Sequence, residues 1–294
     1  MAHRLALVTA AATLVLILFG GLVTNTGAGL AVPDWPTTFG HNMFLFPWSQ
    51  MIGGVFYEHS HRLLGSLVGL LTLGLAAALW RAGGRLRWLG LVAAGAVVAQ
   101  GILGGLRVVL VRDTLAILHG CLAQAFFALL VAVVLLTSPG ARAASAGADP
   151  TLRALTLLAG VLTYAQIVLG ALLTHAGQIA LHLAGAVAVF VFVPVVTARW
   201  RRHGDSIAAP AARALLALLG VQLVLGAGSF LARFSALALP GGQLTVLALP
   251  VAHRLTASLI LGAAVVLAVR AALRPAPERA AAGSPVERPH LALS

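Results

Sequence analysis

The sequence predicts an all-α integral membrane protein of eight transmembrane helices, arranged as two pseudo-repeated four-helix bundles with both termini cytoplasmic. Three observations predict it. Of 294 residues, 60% are apolar and 9% charged, with a mean hydropathy of +1.01, a balance that no water-soluble domain of this size can carry on its surface. The apolar residues fall into runs close to the roughly 20 needed to cross a hydrocarbon core of about 30 Å. Segments of the first half also recur in the second.

The first run, Leu5–Val23, follows Met1-Ala2-His3-Arg4. Its end, Phe19-Gly20-Gly21-Leu22-Val23-Thr24-Asn25-Thr26-Gly27, is echoed by Leu169-Gly170-Ala171-Leu172-Leu173-Thr174-His175-Ala176-Gly177. It is therefore expected to be a retained helix that opens an internal repeat, not a cleaved signal peptide. A long segment, residues 25–57, separates it from the second run and carries Pro33-Asp34-Trp35-Pro36, Trp48 and several phenylalanines, a composition that suits a cap. The following runs are Glu58–Trp80, Trp88–Val109 and Thr114–Leu136, then Leu152–Leu173, Ile179–Thr197, Ala211–Phe230 and Pro250–Leu273. A second echo pairs Ala99-Gln100-Gly101-Ile102-Leu103-Gly104 of the third run with Val221-Gln222-Leu223-Val224-Leu225-Gly226 of the seventh. The expected organisation is an N-terminal half over 1–137, a Gly/Ala/Ser/Pro-rich cytoplasmic linker over 138–151, a C-terminal half over 152–273 and a disordered tail over 274–294.

Orientation follows from the arginines. With the N-terminus inside, the inner segments hold Arg4, then Arg81, Arg85 and Arg87, then Arg142 and Arg153, then the cluster from Arg199 to Arg213, and finally Arg270 onward. The opposite side has Arg107, Arg112 and Arg233. The formal charge of +12 thus reports membrane orientation and argues against a nucleic-acid partner. With Cys121 the only cysteine, a cofactor must be held by histidine, carboxylate or backbone.

Four of the ten histidines, His61, His119, His182 and His253, fall one in each even-numbered run, three to five residues from its outer end. That places them about 5 to 8 Å below the same interface. Ionisable residues inside a membrane bundle are functional candidates. Neutral imidazoles facing one another supply two axial ligands to a haem iron, and four make two sites. Zinc or copper fits less well, because pairs on separate helices offer too few ligands. One turn below the histidines stand Gly65, Ala123, Ala186 and Ala257, small enough for a flat macrocycle to lie against. Arg62 and Arg254 follow His61 and His253 in matching His-Arg-Leu triplets and are candidate contacts for outward-pointing propionates.

Glu58 breaks the symmetry. It lies three residues before His61, where the other half has Ile179 before His182 and Pro250 before His253. Two haem sites that differ by a carboxylate suggest different tasks, the one with the acid suited to oxidation or proton transfer. On these residues alone a haem-modifying enzyme and a di-haem electron-transfer cytochrome stand close to even, with a repeat-built transporter a third class.

Gly27-Ala28-Gly29 leading into Pro33-Asp34-Trp35-Pro36, the Glu58-His59-Ser60-His61-Arg62 element, and the single histidines of the fourth, sixth and eighth runs together resemble the haem A synthase family along nearly the whole chain. The resemblance implies oxidation of a porphyrin methyl group of haem O to a formyl group, giving haem A for terminal oxidases. It implies that His61 and His119 bind haem O or its product, that His182 and His253 ligate a resident haem b, and that Glu58 takes part in the chemistry. It leaves open the electron acceptor and any association with the haem O synthase that supplies the substrate. A bacterial cytoplasmic membrane is the expected location, since no transit peptide precedes the first run. Many members carry a cysteine pair flanking the Pro-Asp-Trp-Pro segment; here those positions are Val32 and Thr38, so the loop is expected to be held by packing alone.

Overall fold

In the computed structural model, which describes residues 1–140, 147–237 and 239–273, every apolar run is a helix. They are α1 (Ala2–Asn25), α2 (Gly53–Ala82), α3 (Gly84–Leu110), α4 (Asp113–Thr137), α5 (Pro150–Ala176), α6 (Ile179–Arg202), α7 (Ala208–Phe234) and α8 (Gln243–Ala272). All eight are long and apolar enough to span a membrane. The expected tail and residues 141–146 of the expected linker lie outside the described residues.

The helix ends follow local chemistry. Between α2 and α3 the chain reverses through Gly83 and Gly84, at φ 73° and 56°, a left-handed pair that side chains resist. Asp149 caps α5 by accepting the Leu152 N–H, and Pro150 takes the first helical position, where no N–H is needed. α8 starts well before Pro250, where the sequence suggested it would begin. A proline inside a helix leaves the carbonyl four residues earlier without its donor. Here that carbonyl is Val246, and the Asn25 side-chain amide at the end of α1 donates to it at 3.3 Å and to Leu247 O at 2.9 Å. A side chain from the other half thus supports the extra turns.

Contacts close α1, α2, α3 and α4 into one ring of neighbours and α5, α6, α7 and α8 into another. Each ring has its own apolar core, around Leu75, Leu79 and Leu130 in the first and Val193, Leu215 and Leu267 in the second. The rings meet where α8 packs on α1 and α4, and α4 on α5. α8 is accordingly the most buried span. Gly262 of α8 lets Phe127 and Val131 of α4 approach, and the Tyr164 hydroxyl of α5 donates to Cys121 O of α4 at 3.1 Å.

Arg270 departs from the picture of an arginine reaching out to the interface. It is fully buried in α8 and pairs with Asp205, Nη2 to Oδ2 at 2.6 Å. Asp205 also accepts the N–H groups of Ile207 and Ala208 at the start of α7. Burial pushes the Asp205 carboxyl up, but the Arg270 hydrogen bonds and those two N–H donors outweigh it and hold it below the ordinary carboxylate range.

Candidate functional site

Each odd helix brings a glycine against the imidazole of the even helix that follows it. A Cβ added at Gly20, Gly104, Gly170 or Gly226 would stand 3.1, 3.3, 3.4 and 3.0 Å from Cε1 of His61, His119, His182 and His253 in turn. These notches let the rings close on the neighbouring backbone and face into the bundle. His61 then meets His119 with ring centres 6.3 Å apart, and His182 meets His253 at 6.4 Å. Metal–imidazole bonds of about 2 Å on either side, plus roughly 1 Å from nitrogen to ring centre, separate two ligating rings by about 6 Å. The spacing fits a shared metal ion.

The distances from the helix starts do not match, contrary to expectation. His182 lies in the first turn of α6, whereas His61 and His253 lie about two and nearly three turns into α2 and α8. Since the rings still pair, the extra turns of α2 and α8 rise beyond the level of their partners. The cause is that apolarity alone marks a helix start poorly: Gly53 to Tyr57 and Gln243 to Leu249 are helical but lie ahead of the runs.

The buried polar atoms around the pairs are incomplete. Among the described residues, Nδ1 of His61, His119 and His253 has no hydrogen-bond partner, and neither has Oε1 of Gln100, Gln166 or Gln222. The glutamines stand four residues before Gly104, Gly170 and Gly226. The Gln166 amide donates to His182 Nδ1 at 3.1 Å and to His182 O at 2.9 Å, and that of Gln222 to His253 Nε2 at 3.2 Å. Buried polar atoms without partners are costly and mark a place where another group completes them. Gly65, Ala123, Ala186 and Ala257 are all half-buried, and a Cβ at Gly65 would meet nothing within 4 Å. Two imidazoles, a small-residue wall and unpaired polar atoms suit a flat iron macrocycle in each half. Arg254, half-buried beside Gly21, has no acceptor within hydrogen-bond distance among the described residues.

Glu58 lies one turn before His61 on α2 and is 4% exposed. Its Oε1 accepts from Arg62 Nη2 at 2.8 Å and its Oε2 from the Val32 N–H at 2.9 Å. Arg62 also donates from Nη1 to the carbonyls of Asp34 and Thr37, at 2.7 and 3.0 Å, and from Nη2 to that of Val32 at 2.8 Å. In the structure, the guanidinium expected to face a propionate is turned to the 25–57 loop instead. Among the described residues no comparable acid stands beside the second pair, where Ile179 and Pro250 occupy the matching places.

Over residues 3–181 the sequence matches the COX15-CtaA family, described as a cytochrome oxidase assembly protein. The chain belongs to this family. A protein of Shouchella clausii (strain KSM-K16) named Heme A synthase is 34% identical over 139 residues, covering 46% of this chain. The chain spans 44% of that relative's length. The COX15-CtaA match includes Glu58, His61, His119 and the 25–57 loop, and stops one residue before His182.

Packing alone does not hold the loop of this COX15-CtaA chain. Val32 and Thr38, at the positions of the missing cysteine pair, are both fully buried. The Val32 backbone is gripped by Glu58 and Arg62, and the Thr38 hydroxyl lies 3.1 Å from His59 Nδ1. Asp34 gathers the loop tip by accepting from Phe39 N–H and Gly40 N–H, each at 2.8 Å, and from the Thr37 hydroxyl. Partial burial pushes the Asp34 carboxyl up, but these donors, Gly40 first, outweigh it and bring it down to about 2. The Trp35 indole rests on Gly105 of α3, where any side chain would collide with it.

His59, inside the Glu58-to-Arg62 element, has no task that the sequence assigns. The structure buries it in α2 between Thr38 and the Phe46 ring, whose centre is 5.1 Å from its own. The glycine notches and the three glutamines were also missed as site residues. Their signal was present: the echoes containing Gly20 and Gly170, and Gln100-Gly104 and Gln222-Gly226, are these very positions.

Proposed function

We propose that this protein is a haem A synthase, oxidising a methyl group of haem O to a formyl group to give haem A for terminal oxidases. The observation that carries the proposal is the asymmetry between two otherwise alike imidazole pairs: among the described residues, only His61 and His119 have a buried carboxylate and a fastened loop beside them. In this reading His61 and His119 bind haem O as substrate, and His182 and His253 hold a resident haem b. Family membership and the named relative support it.

The haem b, when bound, supplies one-electron redox chemistry. The chain's own residues set the conditions. The glycine notches orient the imidazoles, and Gln166 and Gln222 stand within hydrogen-bond distance of the rings of the second pair, where a side-chain carbonyl would accept the N–H of a ligating imidazole. Glu58 serves as the acid–base group of the first site, with its oxygens positioned by Arg62 and Val32 N–H and further lone pairs free to take a proton. Arg62 is assigned the task of holding the loop shut, and Arg254, which has no acceptor among the described residues, that of a propionate contact. The loop covers the reacting face and must still admit the water or dioxygen that supplies the formyl oxygen.

We further infer that the two rings of helices are pseudo-repeats with both termini cytoplasmic and the histidine pairs near the outer face of the cell membrane. The sequence echoes, the matched Gly–His contacts and the arginine distribution support this. Electrons leave to an acceptor outside the chain, and haem O synthase is the supplier of substrate. Extraction and chromatography of the haems from purified protein tests the proposal. Haem b together with haem O or A is expected; haem b alone in both sites, with no conversion of haem O in cells, would overturn it.

A further inference from the structure

A crevice of about 240 Å³ opens between the two rings of helices at the histidine end, lined by Arg107, His175 and Arg233 with Val23, Gly27 and Gly29. The polar lining groups come from three helices of both halves: the cations Arg107 from α3 and Arg233 from α7, and the imidazole of His175 from α5. Arg254 of α8 acts electrostatically on both Arg233 and His175. Asp113, the first residue of α4, is the acid that acts on His175. Arg233 has no acceptor within hydrogen-bond distance among the described residues. Arg107 makes one hydrogen bond, from Nη1 to Gly29 O at 2.6 Å. Its guanidinium lies against the Cα face of Gly29, so close that any Cβ there would collide with it. The Gly27-Ala28-Gly29 element, otherwise without a task, is thus the seat of this arginine.

Cations gathered at the edge of a low-dielectric bundle, with donors to spare, are stable only with an anion near them. The volume holds a carboxylate or phosphate with a few waters and not a macrocycle. Arg107 stands one turn beyond Gly104, the notch for His119, and Val23 one turn beyond Gly20, the notch for His61, so the crevice adjoins the first pair. We propose that the crevice is a carboxylate site that takes a propionate arm of the porphyrin held between His61 and His119, with Arg107 as the group that binds it. This rests on the haem reading above and replaces Arg62, whose donors hold the loop, as the propionate contact of the first site. An anion such as inorganic phosphate or a lipid headgroup shares the same chemistry.

The test is a Soret titration of the full-length, haem-free protein in nanodiscs with ferric protoporphyrin IX and with its dimethyl ester, which lacks the carboxylates. Arg254 gives the second equivalent a preference of its own; for the equivalent held by the first pair, wild type should prefer the free acid about tenfold, the worth of a single charge-assisted contact. Arg107→Gln and Gly29→Ala should remove that preference and leave ester affinity as it was. Arg112→Gln, at the same end but outside the crevice lining, should change nothing. No acid preference in wild type, or equal loss of acid and ester affinity in both variants, would overturn the assignment. So would millimolar phosphate raising the melting temperature through Arg107 with no acid preference, which would make the crevice a free-anion site. Absence of any Soret shift with either porphyrin would instead overturn the haem reading itself.

Discussion

At the scale of single residues, the four histidines were legible because one per even helix is a pattern that lipid tolerance does not produce. Their glycine partners were not, since a glycine in a membrane helix is ordinarily a packing residue. Only the fold shows that Gly226 faces His253. Gly226→Val would put carbon atoms where the His253 ring now lies and swing it away from His182. Haem content should then fall from two equivalents to about one, as overpacking forces the ring off its position, and a pyridine haemochrome assay counts it. Glu58 was legible as the odd residue of the set, but its salt bridge with Arg62 was not, because the two face a loop whose path the sequence does not reveal. Arg62→Met would leave Glu58 buried without its cation, at a cost of roughly 3 kcal/mol. The measurable result is faster protease cleavage within residues 25–57 with the helices intact.

At the scale of elements, every span was visible in hydropathy, and the errors lie at the starts of α2 and α8, where polar and proline residues interrupt an apolar run that is already helical. The 25–57 loop depends on Asp34, whose folded value of about 2 lies below the usual 3.8. A carboxyl lowered on folding contributes stability that is fully present above about pH 4 and lost as the pH falls towards 2. Asp34→Asn should therefore loosen the loop at neutral pH, and protease sensitivity of wild type should rise across that acid window and converge on that of the variant. The α7–α8 corner depends on Asp205 and Arg270. Because both are buried, Arg270→Met should destabilise the second half by about 3–5 kcal/mol, seen as a lower melting temperature of the haem-loaded protein. Nothing in the sequence distinguished Arg270 from the interface arginines around it; its burial follows from α8 lying at the centre of the molecule.

At the scale of the whole molecule, two rings of four helices each close around an imidazole pair, and the difference between them is concentrated in Glu58 and one loop. The echoed segments were legible, while the contact between the rings through α8, α1 and α4 depends on small-residue packing that composition alone does not locate. If one site holds substrate and the other a resident haem, removing the acid should stop conversion without emptying either site. The most direct measurement is haem extraction and chromatography of Glu58→Ala beside wild type, from cells that make haem O. The account predicts haem b and haem A in wild type, and haem b with accumulated haem O in the variant. Equal haem A in both proteins, or haem b alone in both, would contradict it.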